Sequence, residues 1–389
     1  MIGEMIADEV LKEQQFREAL RHKSFWQHRL EADLLGQLFS WRELNHCLSF
    51  NRITNDRFRM STFSEHQSLN RRAFRPVRDS LGRSTDYLVM SELHRLMREG
   101  VTAVLEAVNE LSAAVCSLTE RIAGELGARS AANAYISFGS VSGFGMHNDD
   151  HDVLIFQLDG RKEWQFLKNA ASGKATVADL RDPTDGRETD SVIVSAGDVL
   201  YIPKGTWHNV VALNERSLHL TVSIVFATIA EFLTWSIDQE KLGAPYADIK
   251  PHSHCVFDAI EACKDFLHAL PSKENVERFL NTFYAGKRCS RTRANFPSLN
   301  IANGAQSFRR VSFEVMPLHA MQPDRQDIYA LGRVHSLTSI EYAILRALPR
   351  TGAMTGSKIA EIGGDWGQAA AALEALMDRD LVTTVADGA

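Results

Sequence analysis

Nowhere does this chain hold an unbroken apolar run approaching the ~18–20 residues that a membrane span requires. Its amino-terminal segment, Met1–Gln15, carries acids and lacks the apolar centre of a secretory signal. Cysteine is scarce and unpatterned: Cys47, Cys116, Cys255, Cys263 and Cys289 form no CxxC pair, which suits reduced thiols. A cytoplasmic location without membrane attachment is therefore expected. A surplus of positive charge is also missing. The 43 basic residues against 49 acidic ones leave a net charge of −6, so bulk attraction to nucleic acid is excluded. One local exception exists, the eight arginines between Arg52 and Arg83. They read either as a solvated face or as a rim attracting an acidic ligand.

What is present is a chain of 389 residues, long enough for two or three compact units. Residues 4–50 show short apolar spacings near 3.6, with Leu34, Leu35, Leu38 and Phe39 as one group. Residues 88–127 show helical steps at Leu105, Val108, Leu111 and Val115. From about Ala132 the period changes. Short strands are expected at 134–137, 152–158, 163–167, 191–194, 199–202 and 218–226, separated by Gly, Pro, Asp and Asn. Strands joined by turns rather than helices argue an α+β protein built on a double-sheet barrel or jelly roll. Helices are expected again at 228–242, 254–269 and 273–285, followed by a polar, basic linker over 286–306. A strand at 308–315, helices at 338–348, 355–362 and 366–379, and a strand from Leu381 complete a winged-helix-like order.

The most informative segment runs from Gly143 to Asp152. Alternate side chains of an extended chain share a side, so His147 and Asp149 project together. His208, after a turn in which Gly205 allows a tight bend and Pro203 suits a strand end, supplies a third ligand. Two histidines and one carboxylate on one face leave coordination positions open, the arrangement used for a bidentate 2-oxo acid plus dioxygen on non-haem Fe(II). His151 shares that facing, but three ligands from five consecutive residues would be strained, so it is expected beside the ligands or toward substrate. A dicarboxylate co-substrate needs a buried cation. Lys162 alternates with Trp164 and Phe166 on one face, where a lysine would be costly without an anion. The opposite reading turns Arg161 inward and leaves Lys162 in solvent.

The residues 133–137, 143–149, 153–164, 197–208 and 217–223 together resemble the JmjC-domain ribosomal oxygenase group, cupin-like hydroxylases of ribosomal-protein arginine or histidine side chains. Phe39–Leu44 is similar to that family's opening. The resemblance implies a JmjC/cupin double-stranded β-helix with N-terminal helices over 1–227, a helical dimerisation segment over 228–290, and a winged-helix-like domain over 307–389. It implies His147, Asp149 and His208 as iron ligands and Lys162 as partner of the far carboxylate of 2-oxoglutarate. Asn133 and Ser223 match positions lining the co-substrate site, with Tyr135, Thr221 and His219 on nearby strands. Two departures concern substrate rather than iron: residues 138–141 replace a Pro-Pro-Gly-Ser turn, and Asn148 replaces an aromatic.

The expected function is an Fe(II)-, 2-oxoglutarate- and dioxygen-dependent hydroxylase of a protein or peptide side chain, with a ribosomal protein among the candidates, working as a homodimer. The alternatives are hydroxylation of a small metabolite or a biosynthetic precursor peptide, demethylation through hydroxylation of an N-methyl group, and a cupin binding protein without turnover. DNA is not an expected partner. Residues 291–389 balance ten basic against ten acidic residues, and Asp365–Glu374 carries no basic stripe.

Overall fold

Asp152–Asp159 shows how the β-rich region is organised. Seven of its eight residues are buried, because this strand lies at the centre of a sheet with neighbours on both edges. The computed structural model describes residues 1–62, 67–78, 80–139, 143–168, 189–239, 261, 264–265, 267–268, 270–286, 304–310, 324–330, 333–349 and 353–385. Contacts divide the chain into Met1–Val225 and Phe226–Ala389.

The first unit contains β1 (Trp26–Arg29), β2 (Phe58–Ser61), β3 (Phe74–Arg78), β4 (Ser84–Leu88), β5 (Thr102–Leu105), β6 (Ala132–Ser137), β7 (Asp152–Asp159), β8 (Arg161–Leu167), β9 (Thr189–Ser195), β10 (Asp198–Ile202), β11 (His208–Ala212) and β12 (Ser217–Ile224). Seven strands form one antiparallel sheet in the order β1-β10-β7-β12-β6-β5-β2, and three form a second in the order β11-β8-β9. Val153, Ile155, Leu200 and Ile202 from the larger sheet pack with Trp164 and Val194 from the smaller one. Burial of such side chains contributes roughly 1.5–3 kcal/mol each, so this cluster holds the two sheets face to face and leaves a cavity beside it. The fold is a double-sheet jelly roll.

The expected strands between 132 and 226 all form. Two further strands, β1 and β5, lie where helices were expected. β1 interrupts residues 4–50, between helices Gln14–His22 and Ala32–Leu38. The apparent helical run from Leu105 to Val115 crosses three elements: the end of β5, a short 3-10 turn at Val108–Glu110, and the helix Ala113–Leu126. Every residue of β5 is buried, and periodicity cannot tell a short sealed strand from a helix. Ala107, with φ of 51°, breaks any continuous helix there. The helix Trp41–Phe50 starts at Ser40, whose hydroxyl accepts from the Glu43 N–H at 3.4 Å. Four of the eight arginines in the arginine-rich stretch are paired within this unit: Arg57 with Glu110, Arg59 with Glu106, Arg72 with Glu99 and Arg75 with Glu92.

The second unit has helices Ile229–Gln239 and Lys273–Gly286, which meet through Phe232, Trp235 and Phe279. Strands β13 (Ser307–Arg310), β14 (Arg325–Ala330) and β15 (Arg333–Thr338) follow, then the helix Ser339–Ala347, β16 (Met354–Thr355), helices Gly356–Gly363 and Trp366–Met377, and β17 (Val382–Val385). β13 lies between β16 and β17, while β14 and β15 form a hairpin that the sequence reading did not anticipate. Thr338 and Glu341 form a reciprocal capping box at one helix start. Phe308, Tyr342, Leu345, Leu373 and Leu376 belong to one buried cluster. Most of the expected helix over 254–269, most of the expected linker and the strand beyond Arg310 lie outside the described residues, as do Ser140 and Val141 of the turn ahead of Gly143.

Candidate functional site

The site begins with a backbone bridge. His147 N–H donates to the His208 carbonyl at 2.9 Å, and His208 N–H donates to the His147 carbonyl at 2.7 Å. Residues exchanging both bonds in an antiparallel pair stand directly opposite, with side chains on one side. The two imidazole centroids are accordingly 4.4 Å apart. Gly205, with φ of 79°, adopts the left-handed geometry that glycine tolerates. Its N–H donates to the Asp149 carbonyl at 2.9 Å, tying the turn before His208 to the third residue of the set.

Each histidine is oriented by a carbonyl two residues upstream. Nδ1 of His147 donates to Gly145 at 2.9 Å, and Nδ1 of His208 donates to Thr206 at 2.9 Å. A carbonyl only accepts, so Nδ1 carries the proton and each Nε2 keeps its lone pair. Nε2 of His208 lies 3.8 Å from a carboxylate oxygen of Asp149. One ligand atom from each of His147, Asp149 and His208 lies within 4.8 Å of the others. Burial, then the neighbouring His147, pushes the His208 imidazole down to about 4, with Asp149 opposing. It is thus neutral at physiological pH, the form that binds metal. His151 lies outside this cluster, with Nδ1 2.8 Å from the exposed Asp150 carboxylate.

Asp152, at the start of β7, fixes the loop. It is 2% exposed and accepts from Lys23 Nζ, from the Tyr201 hydroxyl at 3.0 Å and from Lys204 N–H at 2.8 Å. It therefore joins the strand after Asp149 to the turn before His208. Asp152→Ala strands the Tyr201 hydroxyl and the Lys204 amide, and should cost about 2–3 kcal/mol of stability by urea denaturation. Metal affinity, measured by titration, should fall about 10- to 100-fold, as for other groups that orient ligands. Unchanged values on both counts would show that the loop is held elsewhere.

The cluster opens into a cavity enclosing about 570 Å³, counted with the solvent at its mouth, and lined by Lys162, Tyr135, Trp164, His219 and Thr221 among others. Lys162 is 3% exposed. No anion partners its ammonium among the described residues, and burial pushes it down to about 7. The alternative orientation is not adopted: Arg161 faces solvent, bonded to Glu215 at 3.1 and 3.2 Å. Tyr135 reaches the cavity, and its phenol, bonded by Arg59, is pushed up to about 12, chiefly by burial.

Asn133 and Ser223 are not among the cavity-lining residues. Asn133 Oδ1 accepts from the Ala107 N–H at 2.9 Å, holding the turn after β5. The Ser223 hydroxyl accepts from Ala131 N–H at 3.0 Å and donates to its carbonyl at 3.2 Å. The resemblance placed both at the co-substrate site, and both share the parity of lining residues on their strands, but local backbone groups claim their polar atoms. His219 and Thr221, weaker from sequence, do line the cavity.

The JmjC domain family model matches residues 108–232. The bifunctional lysine-specific demethylase and histidyl-hydroxylase NO66 of Dictyostelium discoideum is 38% identical over 97 residues, 24% of this chain and 19% of that protein. Ribosomal oxygenase 1 of Gallus gallus is 34% identical over 102 residues, 25% of this chain and 17% of that protein. The chain thus spans less than a fifth of the length of these curated relatives. Among solved structures, Escherichia coli YcfD superposes with a TM-score of 0.61 at 18% identity, over 95% of this chain and 98% of that one. A structure described as YcfD, a ribosomal oxygenase, in complex with cobalt and 2-oxoglutarate gives a TM-score of 0.56 at 18% identity, over 90% and 91% of the two chains. At that identity the likeness establishes a shared fold.

Proposed function

We propose that this chain, a JmjC-domain protein over residues 108–232, is an Fe(II)- and 2-oxoglutarate-dependent dioxygenase that hydroxylates an amino-acid side chain of a protein or peptide. One observation carries the reading: a buried lysine, without an anion among the described residues, shares a cavity with an open His-Asp-His set. A generic divalent site has no use for such a cation, whereas a 2-oxo dicarboxylate chelated at one end needs it at the other.

The donor set fits Fe(II): two imidazole nitrogens and one carboxylate on one face. His147, Asp149 and His208 would hold the metal, and Lys162 the far carboxylate. Bound together, Fe(II), 2-oxoglutarate and dioxygen supply the oxidising power that converts the co-substrate to succinate and carbon dioxide and places one oxygen atom on a substrate C–H bond. The protein's own groups position and exclude. The carbonyls of Gly145 and Thr206 keep both ligand rings aimed, and Trp164, 5.6 Å from the His208 ring, walls that ligand from solvent.

A ribosomal polypeptide is the favoured substrate class, since relatives carry the names ribosomal oxygenase and histidyl-hydroxylase. The helices Ile229–Gln239 and Lys273–Gly286 are assigned to a homodimer segment and residues 307–389 to a winged-helix-like domain. That domain supports the dimer rather than binding DNA, because Trp366–Met377 carries no basic residue. A cytoplasmic setting accords with the absence, among the described residues, of a helix long and apolar enough to cross a membrane.

The test is incubation with Fe(II), ascorbate, 2-oxoglutarate and ribosomal proteins, followed by mass spectrometry. Gain of one oxygen on a defined residue is expected. Unmodified polypeptides alongside succinate release stimulated by a metabolite would move the assignment to a small-molecule hydroxylase, and release of formaldehyde would move it to demethylation.

A further inference from the structure

His219 lines the cavity, and the sequence left its chemical role open. It stands directly opposite Tyr135 in the β12–β6 register. The two rings stack, with centroids 4.8 Å apart and planes 8° from parallel. The edge of Trp164 approaches from the smaller sheet, with centroids at 5.8 Å and an interplanar angle of 61°. The imidazole is thus clamped between the two sheets and has no freedom to turn. It is 2% exposed, lines the cavity, and its Nδ1 is sealed without a hydrogen-bond partner among the described residues.

That orphaned nitrogen decides the tautomer. A neutral imidazole carries one N–H, and burying a donor with no acceptor costs more than burying a weak acceptor in the same place. The proton therefore belongs on Nε2, the remaining polar atom by which the ring can meet the cavity. The ring stays neutral, because burial and the neighbouring Lys162 ammonium hold its pKa well below the ordinary value. A neutral donor beside a buried ammonium gives a two-point cradle: one group supplies charge, the other direction. Neither has an anion to meet among the described residues.

We infer that His219 is a co-substrate-binding residue that donates Nε2–H to the far carboxylate of the 2-oxo dicarboxylate, alongside Lys162, and so selects a dicarboxylate over a 2-oxo monoacid. This rests on the assignment of the cavity to 2-oxoglutarate. Tyr135 acts through His219, as the surface that keeps the imidazole flat and aimed.

The test is equilibrium binding to the full chain loaded with Mn(II) under anaerobic conditions, read by calorimetry. The ligands are 2-oxoglutarate and 2-oxopentanoate, which keeps the chelating end and lacks the far carboxylate. His219→Phe preserves an aromatic ring for the stack and removes the donor. It should weaken 2-oxoglutarate about 10- to 100-fold, the range for a hydrogen bond to a charged group, and leave 2-oxopentanoate and Mn(II) affinity unchanged. His219→Gln, which retains an N–H donor, should recover part of the loss. Equal loss for both 2-oxo acids would reduce His219 to a packing residue, and no loss for either would remove it from the site. Failure of the wild-type protein to bind 2-oxoglutarate at all would instead overturn the assignment of the cavity. Thermal denaturation of each variant shows whether it is folded.

Discussion

Replacing Lys162 with Met should abolish 2-oxoglutarate binding while making the ligand-free protein more stable. The ammonium is 3% exposed, has no anion beside it among the described residues, and is pushed down from 10.5 to about 7 by burial. That gap amounts to about 4–5 kcal/mol against the charged form, as an order of magnitude. The sign is fixed by proton counting. Between pH 7 and 10.5 the unfolded chain holds a proton that the folded chain releases, so stability rises with pH across this window. Below about 7 the whole penalty is present; above 10.5 it vanishes. Lys162→Met should therefore gain a few kcal/mol in urea denaturation at pH 6, and the gain should shrink steadily toward pH 10. Affinity moves the other way. A far carboxylate left in the cavity without its cation forfeits about 3–5 kcal/mol, more than a hundredfold in binding. Wild-type affinity should itself weaken as pH rises above about 7, because the ligand must then recruit a proton to Lys162. A variant that bound 2-oxoglutarate normally would put the anchor elsewhere. One that was less stable at pH 6 would show that the packing of the lysine stem outweighs its charge.

The legible parts of this site were those set by the two-residue period of a strand. Lys162 alternates with Trp164 and Phe166, and His147 with Asp149, so their common facings follow from position alone. The turn chemistry of Pro203 and Gly205 announced the delivery of His208. What the sequence could not carry were contacts between distant strands. Asn133 and Ser223 have the right parity, yet Ala107 and Ala131 bind them, and nothing local signals that. Asp152 looked like one more acid in a crowded run, but its partners Lys23 and Tyr201 lie 129 and 49 residues away. His219 gains its meaning only from the register that sets it against Tyr135. In the fold, β1, β2 and β5 escaped because each has only four residues, too few to display a period, and the fully buried β5 imitates an apolar helix step.

Asp149→Ala should abolish succinate formation without unfolding the chain. The scaffold of the site is the backbone pairing of His147 with His208, at 2.9 and 2.7 Å, in which the Asp149 side chain takes no part. That side chain is 32% exposed, so its loss should change metal-free stability by no more than about 0.5 kcal/mol. The metal response is another matter. Groups that merely orient a ligand cost 10- to 100-fold in affinity when removed. Asp149 supplies the only carboxylate of the cluster, and its loss should exceed that range. Wild-type protein with metal at a hundred times its dissociation constant gains about 2.7 kcal/mol, seen as a rise in melting temperature on adding Mn(II). In the variant the melting curve should not move, and succinate formation with Fe(II) and 2-oxoglutarate should drop to background. The neighbouring Asp150 is the natural control. Its side chain is 94% exposed and turned to His151, so Asp150→Ala should keep both the metal response and turnover. If Asp149→Ala retained turnover and Asp150→Ala lost it, the carboxylate ligand would be Asp150, and the loop would have to rearrange by one residue to deliver it.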